Sequence, residues 1–307
     1  MKQSDPRIGV DLGGSKIEAI VLNADGEVRV RERRPTPAGD YHGTISAIVD
    51  LVGRVERLSG LDAGSSLPVG IGIPGALSPA TGLVKNANST CLIGRPLDRD
   101  LAAALGRPVR VANDANCFAV SEAIDGAAAG ERSVFGVILG TGVGGGIAID
   151  GRILTGRNAI GGEWGHNPLP WPRDAELPGR PCYCGLCGCI ETFLSGPGLV
   201  ADYQAGGGRA DLDAPAIAHA ATGGDSLAEA ALVRYEDRLA RSLATVINLL
   251  DPDVIVLGGG LSNLDRLYRS VSRLWGRWVF SDRVDTKLVP PRHGDSSGVR
   301  GAAWLWP

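Results

Sequence analysis

Four of the six cysteines fall within eight residues, in the segment Cys182-Tyr-Cys-Gly-Leu-Cys-Gly-Cys189. A histidine, His166, lies a short loop upstream. Thiolates at this density together with one imidazole are typical of a tetrahedral Zn²⁺ site of the Cys₃His type. We therefore predict a structural zinc site, because four protein ligands leave no open coordination position. The predicted ligands are His166, Cys182, Cys184 and Cys189.

The alternative for these cysteines is a pair of disulfide bonds. Cysteines spaced by two or three residues are poorly placed for disulfide geometry, and nothing else in the sequence indicates export. Cys187 is the remaining thiol of the segment; it could replace one of the ligands, but we expect it to be free. The sequence therefore favours a metal site over disulfides.

Two carboxylates, Glu163 and Glu191, flank the predicted zinc ligands. A metal ion in the loop would hold both acids and His166 in one rigid patch. Carboxylates and imidazole are hydrogen-bonding groups suited to hydroxyls. The patch therefore predicts recognition of a ligand that is covered in hydroxyl groups.

A glycine turn separates two apolar runs near the N-terminus. Ile8–Leu12 stops at Gly13-Gly-Ser-Lys16, and Ile17–Leu22 is apolar again, which predicts two strands joined by a turn. The amides of such a turn can face a phosphate, and Asp11 can organise a hydrated Mg²⁺. The spacing is not that of a Walker A loop. An ordinary hairpin remains the alternative for this segment.

A second glycine turn follows the strand predicted at Val134–Leu139. The segment Gly140–Gly146 formally contains Gly-x-Gly-x-x-Gly, which would indicate a dinucleotide-binding oxidoreductase. That fingerprint requires a helix next, whereas the residues from Ile147 indicate a strand and a turn. A glycine hairpin in each half of the chain predicts an internal duplication, with a phosphate loop on each side of a cleft.

An acid follows the strand predicted at Val109–Ala112, in the sequence Asn113-Asp114-Ala-Asn116. An Ala-rich helix is predicted from there to about Ala128. Open α/β sheets place their chemistry where a strand ends and a helix begins. Asp and Asn are also the preferred helix N-caps. This segment alone leaves catalysis and capping equally open.

Further elements are predicted from hydrophobic periodicity. The segment Asn86–Thr90 is rich in amides and hydroxyls and is either a self-capping loop or a polyol-binding loop. A long helix is predicted over Ser226–Leu250, opened by a capping box of Ser226 and Glu229. The strand predicted at Val254–Leu257 ends in Gly258-Gly-Gly260, where backbone can lie flat against a purine ring.

Composition limits the class of protein. At 307 residues the chain is long enough for two lobes, and 44% hydrophobic with 21% charged residues is ordinary for a globular enzyme. The net charge of −3, with no basic block, argues against nucleic acid as a partner. The polar start resembles no signal peptide, and no apolar run approaches ~20 residues. We expect a cytoplasmic protein with reduced thiols and no membrane partner.

Taken together, the motifs resemble the ROK family of bacterial sugar kinases. The most specific of them is Cys-x-Cys-Gly-x-x-Gly-Cys-x-Glu at 182–191. The resemblance implies an α/β, two-lobed actin-like ATPase fold, a duplicated ribonuclease H-like arrangement. It implies a small lobe of residues 1–116, with a C-terminal helix at about 299–307 packing back on it. The large lobe, 117–298, would carry the zinc loop 166–191 and the contacts of a homodimer.

The resemblance also assigns roles. It implies that Asp114 is the catalytic base, accepting the proton of a sugar 6-hydroxyl as that hydroxyl attacks the γ-phosphate of MgATP. Residues expected to bind the sugar are Gly75, Asn88, Asn113, Asp114, Glu163, His166 and Glu191. Residues expected to bind ATP and Mg²⁺ are Asp11, Gly13, Gly14, Ser15, Lys16, Gly140, Thr141, Gly142, Gly144, Gly145, Gly258, Gly259 and Gly260.

The substrate expectation rests on three segments. Lys85–Thr90, Glu163–Pro170 and the tail from His293 to Trp306 are most similar to bacterial fructokinases that also take mannose. The expected reaction is ATP-dependent phosphorylation of fructose to fructose 6-phosphate, with N-acetylglucosamine or glucose as the alternative substrate. A sugar-responsive repressor of the same family carries an N-terminal DNA-binding domain, for which the sequence leaves no room before Ile8. A sugar-responsive regulator without enzyme activity is therefore only a remote alternative.

Overall fold

The structure, a computed structural model, describes residues 5–61, 67–294 and 297–306. The chain divides into two compact units. The first comprises residues 1–130, 146–161 and 295–307, and the second comprises 131–145 and 162–294. These units differ from the predicted lobes, because residues 117–130 and 146–161 belong to the first unit. The lobe boundaries stay a prediction.

A five-stranded sheet forms the centre of the first unit. Its strands, in spatial order, are β3 (Val28–Pro35), β2 (Lys16–Leu22), β1 (Arg7–Leu12), β4 (Val69–Ile73) and β7 (Val109–Asn113). The predicted hairpin is confirmed, because β1 and β2 pair antiparallel; β4 is parallel to both β1 and β7. The other elements are α1 (Tyr41–Leu58), the strand pair β5 (Ala76–Leu77) and β6 (Val84–Lys85), α2 (Leu97–Leu105), and α3 (Asp114–Ile124).

A second five-stranded sheet repeats this order. Its strands are β10 (Arg152–Ile153), β9 (Val143–Ile149), β8 (Ser133–Leu139), β11 (Val254–Gly258) and β12 (Lys287–Val289). Strand β11 is parallel to both β8 and β12, as β4 is to β1 and β7. The repeated order confirms the duplicated α/β fold. The later helices are α4 (Glu191–Leu194), α5 (Gly196–Ala205), α6 (Ala214–Thr222), α7 (Ser226–Leu250), α8 (Asp265–Leu274) and α9 (Ser297–Ala303).

Helix α7 begins at the predicted residue but not with the predicted capping box. The N-cap is Asp225, whose side chain accepts hydrogen bonds from the amides of Leu227 and Ala228 at 2.9 and 3.0 Å. Glu229 pairs instead with Arg266 at 2.7 Å. The capping-box prediction was wrong because a carboxylate one residue earlier satisfies the first amides of the helix.

A buried ion network supports the loop between His166 and Cys182. The fully buried Arg241 donates hydrogen bonds to the carbonyls of Pro170 and Trp171 at 2.9 and 2.6 Å. It also pairs with Glu176 at 2.8 Å. Burial raises the pKa of Glu176, but hydrogen bonds from Arg241, the Arg173 amide and Arg238 outweigh it and leave the pKa at about 2. Glu176 is therefore ionised, and the network anchors this loop to α7.

Within the described part of the chain, none of the helices combines the length and the apolar character needed to cross a lipid bilayer.

Helix α9 packs against the first sheet and α3 without room for additional side-chain atoms. A Cβ atom on Gly70 of β4 would lie 1.8 Å from the Ala302 carbonyl oxygen. A Cβ atom on Gly301 would lie 1.7 Å from the carbonyl oxygen of Cys117 in α3. Glycine at both positions is what allows α9 to lie directly on the core.

We expect Gly301→Ala to destabilise the protein, since backbone must move to admit the methyl group. Overpacking of this kind costs about 3 kcal/mol, which lowers the thermal midpoint by roughly 5–10 °C in calorimetry. Gly276→Ala is the matched control, because nothing lies within 4 Å of its Cβ position. Equal midpoints for the two variants would contradict this account of α9 packing.

Candidate active site

The first unit brings two acids of the predicted site together. Asp11 lies on β1, in register with Gly72 of β4. A Cβ atom on Gly72 would lie 3.4 Å from Asp11 Oδ1 and 3.3 Å from Cys117 Sγ, so Gly72 leaves room for both side chains. Asp114, the first residue of α3, is close enough to raise the pKa of Asp11 by its charge.

The environment of Asp11 disfavours its charged form. Burial, then the charges of Asp114 and Glu18, raise the pKa of Asp11 to about 7, against weaker opposing effects of Lys16 and Arg33. A divalent cation would stabilise the charged form of Asp11, because it would offset the negative charges of both acids. The arrangement suits the predicted Mg²⁺ site.

Asn113, rather than Asp114, takes the capping role that the sequence left open. Asn113 is the N-cap of α3, and its side-chain oxygen accepts from the amides of Ala115 and Asn116 at 2.9 and 3.3 Å. Asp114 Oδ1 accepts from the Ala115 amide at 2.8 Å. The capping role therefore belongs to Asn113, and Asp114 lies at the positive end of the helix dipole, which favours a carboxylate.

The predicted phosphate turn of the first unit is open. The Gly13 amide donates to the Lys16 carbonyl at 3.0 Å, and the Thr36 hydroxyl donates to the Gly13 carbonyl at 2.7 Å. Nothing lies within 4 Å of a Cβ position on Gly14, and Ser15 and Lys16 are exposed. The turn is thus tied at its base while its tip faces open space.

Two predicted sugar ligands follow β4. Gly75 has a φ of 138°, and a Cβ atom there would lie 2.8 Å from the Lys85 carbonyl oxygen. Glycine is therefore required for the close approach of this turn to the segment before Asn88. The exposed Asn88 lines a cavity of about 260 Å³ within the first unit. Its other lining residues include Leu12, Gly14, Thr36, Thr44 and Thr90.

In the second unit the four predicted zinc ligands converge. The ligand atoms of His166, Cys182, Cys184 and Cys189 all lie within 4.8 Å of one another. His166 Nδ1 is 3.6 Å from Cys182 Sγ, and the Sγ atoms of Cys184 and Cys189 are 3.6 Å apart. All six cysteines of the chain are free thiols, so the disulfide alternative is excluded in this structure. Cys187 is exposed and lies outside the cluster.

These separations fit a tetrahedral zinc ion. Zn–S bonds of about 2.3 Å and Zn–N bonds of about 2.0–2.1 Å require S···S and S···N separations of about 3.8 and 3.6 Å. The His166–Cys182 and Cys184–Cys189 pairs, each 3.6 Å apart, match two of the six edges of that tetrahedron. The residues present therefore fit Zn²⁺, in a site with four protein ligands.

Tyr183 is a site residue that the sequence analysis missed. Its hydroxyl lies 3.0 Å from His166 Nε2, the ring nitrogen turned away from the cysteines. Burial, together with nearby negative charges that include Glu191 and Glu163, raises the pKa of Tyr183 to about 12. The hydroxyl is therefore protonated at neutral pH and available as a donor. Its position between two cysteine ligands was the only signal in the sequence.

Glu191, which follows the cysteine cluster, connects the zinc loop 166–191 to the second glycine turn, Gly140–Gly146. Its Oε2 accepts a hydrogen bond from the Val143 amide at 2.8 Å. The Trp164 indole donates to the Gly144 carbonyl at 3.0 Å. A Cβ atom would lie 2.6 Å from Glu191 Oε2 if placed on Gly142, and 2.6 Å from Trp164 Cδ1 if placed on Gly145. Gly144 and Gly145 belong to β9, and Gly145 faces Trp164 rather than open space.

A cavity of about 700 Å³ in the second unit begins at this turn. It contains three predicted nucleotide ligands, Gly140, Thr141 and Gly260. Gly258 ends β11, and Gly259 has a φ of 80° with its Cβ position 2.4 Å from the Leu139 carbonyl oxygen. Only glycine allows this approach. The remaining lining residues are Gly196, Pro197, Val200, Ala210, Asp211, Leu212, Asp213, Ala214, Pro215 and Leu261.

Two helix N-termini border this cavity. Ser195 caps α5 by accepting from the Gly198 amide at 3.1 Å, and Asp213 caps α6 by accepting from the Ala216 amide at 2.9 Å. Helix N-termini favour phosphate groups through their amides and dipole. The sequence analysis missed residues 210–215, although Asp213 followed by Pro215 is a helix-start signal. The cavity has the apolar walls and amide donors that a nucleotide requires.

Fold and site together define an actin-like ATPase fold that carries a cysteine–histidine loop. A family model described as the ROK family matches residues 7–307. An N-acetyl-D-glucosamine kinase of Escherichia coli O6:H1 is 40% identical over 301 residues, covering 97% of this chain and 98% of that protein. The chain belongs to the ROK family, which confirms the resemblance inferred from its motifs.

Solved structures agree with this assignment. A ROK hexokinase from Thermus thermophilus has a TM-score of 0.84 at 32% identity, covering 98% of this chain and 97% of that chain. A ROK family glucokinase from Streptomyces griseus, solved with glucose and AMPPNP, has a TM-score of 0.79 at 29% identity. That match covers 98% of this chain and 99% of the glucokinase.

We expect purified protein to contain one zinc ion per chain, and Cys184→Ser to lose it, because one thiolate of the tetrahedron is removed. Elemental analysis by mass spectrometry measures the stoichiometry. Cys187→Ser is the matched control from the same loop and should retain the metal. Zinc retained by the first variant, or lost from the second, would show that the ligands are assigned wrongly.

The raised pKa of Asp11 predicts a pH-dependent stability. Between its ordinary pKa of 3.8 and about 7, the folded state holds a proton that the unfolded state has released. The contribution of Asp11 therefore falls as pH rises through this window and is constant above it. Without added Mg²⁺, Asp11→Asn should gain thermal midpoint over the wild type progressively from pH 5 to about 7.

The exposed Asp282→Asn provides the control for this measurement. Its midpoint relative to the wild type should stay flat over the same range. A flat difference for Asp11→Asn as well would mean that the Asp11 carboxyl is not desolvated in the folded protein.

Proposed function

We propose that the chain is an ATP-dependent N-acetyl-D-glucosamine kinase, which transfers the γ-phosphate of ATP to the sugar 6-hydroxyl and yields N-acetylglucosamine 6-phosphate. The observation that carries this proposal is the 40% identity, over 97% of the chain, to a kinase of that name. The expectation of fructose as first substrate draws no support from these relatives. Fructose, with mannose, becomes the alternative, and glucose remains another.

The proposed base is Asp114. The Ala115 amide orients its carboxylate, and the N-terminus of α3 favours the charged form. A carboxylate in this state can accept the proton of the 6-hydroxyl as the phosphoryl group is transferred. Asp11, with its pKa raised to about 7, would bind Mg²⁺ and so compensate the second negative charge beside the base.

The phosphates would be held by backbone rather than by side chains. The open turn at Gly14 and the turn at Thr141 and Gly142 would supply amides, and the N-terminus of α5 would contribute its helix dipole. Adenosine would lie in the apolar cavity against Gly260 and Leu261. The solved ROK family glucokinase is in complex with glucose and AMPPNP, which supports the proposal of ATP as the phosphate donor.

The sugar hydroxyls would be bound by the acids and amides that the resemblance assigned. Glu163, His166 and Glu191 lie on the zinc segment, and Tyr183 extends that set with a neutral hydroxyl donor. Bound zinc would supply no reactive group, since His166 and the three cysteines would fill its coordination positions, and it would fix the orientation of the His166 ring. Homodimer formation, a cytoplasmic location and the absence of a nucleic-acid partner stay predictions.

The proposed reaction is tested by ADP release with N-acetylglucosamine, glucose, mannose and fructose, each with Asp114→Asn beside the wild type. We expect the highest kcat/KM with N-acetylglucosamine. The variant should lose at least about 100-fold in kcat, because a general base contributes 10²–10⁴-fold. Asp282→Asn, an exposed aspartate, should leave both constants unchanged.

Two outcomes would contradict the proposal separately. Higher kcat/KM with fructose would restore the original substrate expectation and leave the mechanism intact. Activity that survives in Asp114→Asn would remove Asp114 from the chemistry whatever the sugar. One or two hydroxyl contacts of about 1–3 kcal/mol each are enough to separate these hexoses.

A further inference from the structure

A cavity of about 660 Å³ in the first unit contains none of the residues assigned above. It lies where β1, β7, α3 and the segment after α9 meet. Its lining combines cationic, aromatic and apolar side chains with a single acid, Asp150. The cations are Arg7, Arg110 and Arg152, and the aromatic residues are Trp304 and Trp306.

Two of the three arginines are held in fixed positions by the C-terminal segment. The guanidinium of Arg7 lies 4.4 Å from the centre of the Trp304 ring, and that of Arg110 lies 4.0 Å from the centre of the Trp306 ring. Arg110 Nη1 donates to the Leu305 carbonyl at 2.6 Å. Stacking and hydrogen bonding pre-orient both cations toward one cavity, which lowers the entropic cost of binding an anion.

The cavity also contains two buried donors without acceptors. Arg7 is only 5% exposed, and its Nη1 has no hydrogen-bond partner among the described residues. The same holds for Nε1 of Trp306 within that part of the chain. A buried donor without an acceptor is unfavourable. An acceptor oxygen that reaches Arg7 Nη1 or Trp306 Nε1 after a small shift of the side chain would remove this cost.

The charges that line the cavity also favour an anionic ligand. Burial lowers the pKa of Arg7, because desolvation disfavours the cation, and the charge of Asp5 opposes this effect. The cavity lining contains three cations, Arg7, Arg110 and Arg152, and one acid, Asp150. Even with Asp5 nearby, the cavity favours an anion over a neutral molecule or a cation.

We propose that this cavity binds a small organic phosphate. A phosphate monoester carries close to two negative charges at neutral pH and three strong acceptor oxygens, which match two fixed guanidiniums and an indole N–H. The apolar side chains of Val120, Ile124 and Ile153 would contact the organic part. This inference does not depend on the identity of the sugar that the enzyme phosphorylates.

Such a ligand would contact the helix that carries the proposed base. Val120 and Ile124 lie in the second half of α3, which begins at Asp114. The Trp304 indole donates to Asp125 at 3.1 Å, directly after that helix. The cavity wall is therefore continuous with α3 although the cavity lies away from the residues assigned to catalysis.

The test is titration calorimetry of full-length protein with glucose 6-phosphate and with inorganic phosphate. Saturating AMPPNP and sugar are present, so that the active site is occupied. We expect saturable binding of glucose 6-phosphate, tighter than that of inorganic phosphate. Arg110→Gln should weaken it about tenfold or more, because a hydrogen bond to a charged group is lost. Trp306→Phe, which removes one N–H, should weaken it about threefold or more.

Arg29→Gln is the matched control, an exposed arginine of the same unit that does not line the cavity, and its affinity should equal that of the wild type. All three variants should keep wild-type kcat and KM, which also verifies folding. The proposal is overturned if the wild type shows no saturable binding. It is likewise overturned if Arg110→Gln and Trp306→Phe both bind as the wild type does. Equal affinity for inorganic phosphate would overturn the assignment of an organic ligand.

Discussion

The arrangement of the proposed site in the second unit depends on the hydrogen bond from the Val143 amide to the Glu191 carboxylate. It joins the glycine turn, proposed to hold phosphate, to the segment that carries the zinc ligands and the proposed sugar ligands. The indole of Trp164 adds a second connection to the same turn. Because Gly142 and Gly145 leave no space for a Cβ atom, the connection is also steric. The proposed phosphate-binding turn and the proposed sugar-binding segment are thereby connected directly.

The two acids of the first unit differ through their surroundings rather than their chemistry. Asp11 is desolvated and lies beside other acids, so its pKa rises to about 7. Asp114 lies at a helix N-terminus with an amide donor on its carboxylate. Environments that separate two carboxyl groups in this way separate their roles. One is suited to hold a divalent cation and the other to accept a proton.

Features encoded locally were predictable from the sequence. The spacing of Cys182, Cys184 and Cys189 indicated the ligand cluster, and apolar periodicity indicated the long helix α7. Features that depend on tertiary contacts were not predictable from the sequence. Glu229 pairs with the distant Arg266 rather than with the start of α7, and Tyr183 reaches His166 only once the loop has folded. The preferred sugar depends on one or two hydroxyl contacts, which no local pattern encodes.

The most direct test of the account is a competition reaction. Equimolar N-acetylglucosamine and fructose, with limiting ATP and Mg²⁺, would be followed by ³¹P NMR, which identifies both the sugar and the phosphorylated carbon. The account predicts that N-acetylglucosamine 6-phosphate is the main product and that ATP loss equals sugar phosphate formed. Predominant fructose 6-phosphate, or ATP consumed without a sugar phosphate, would contradict it.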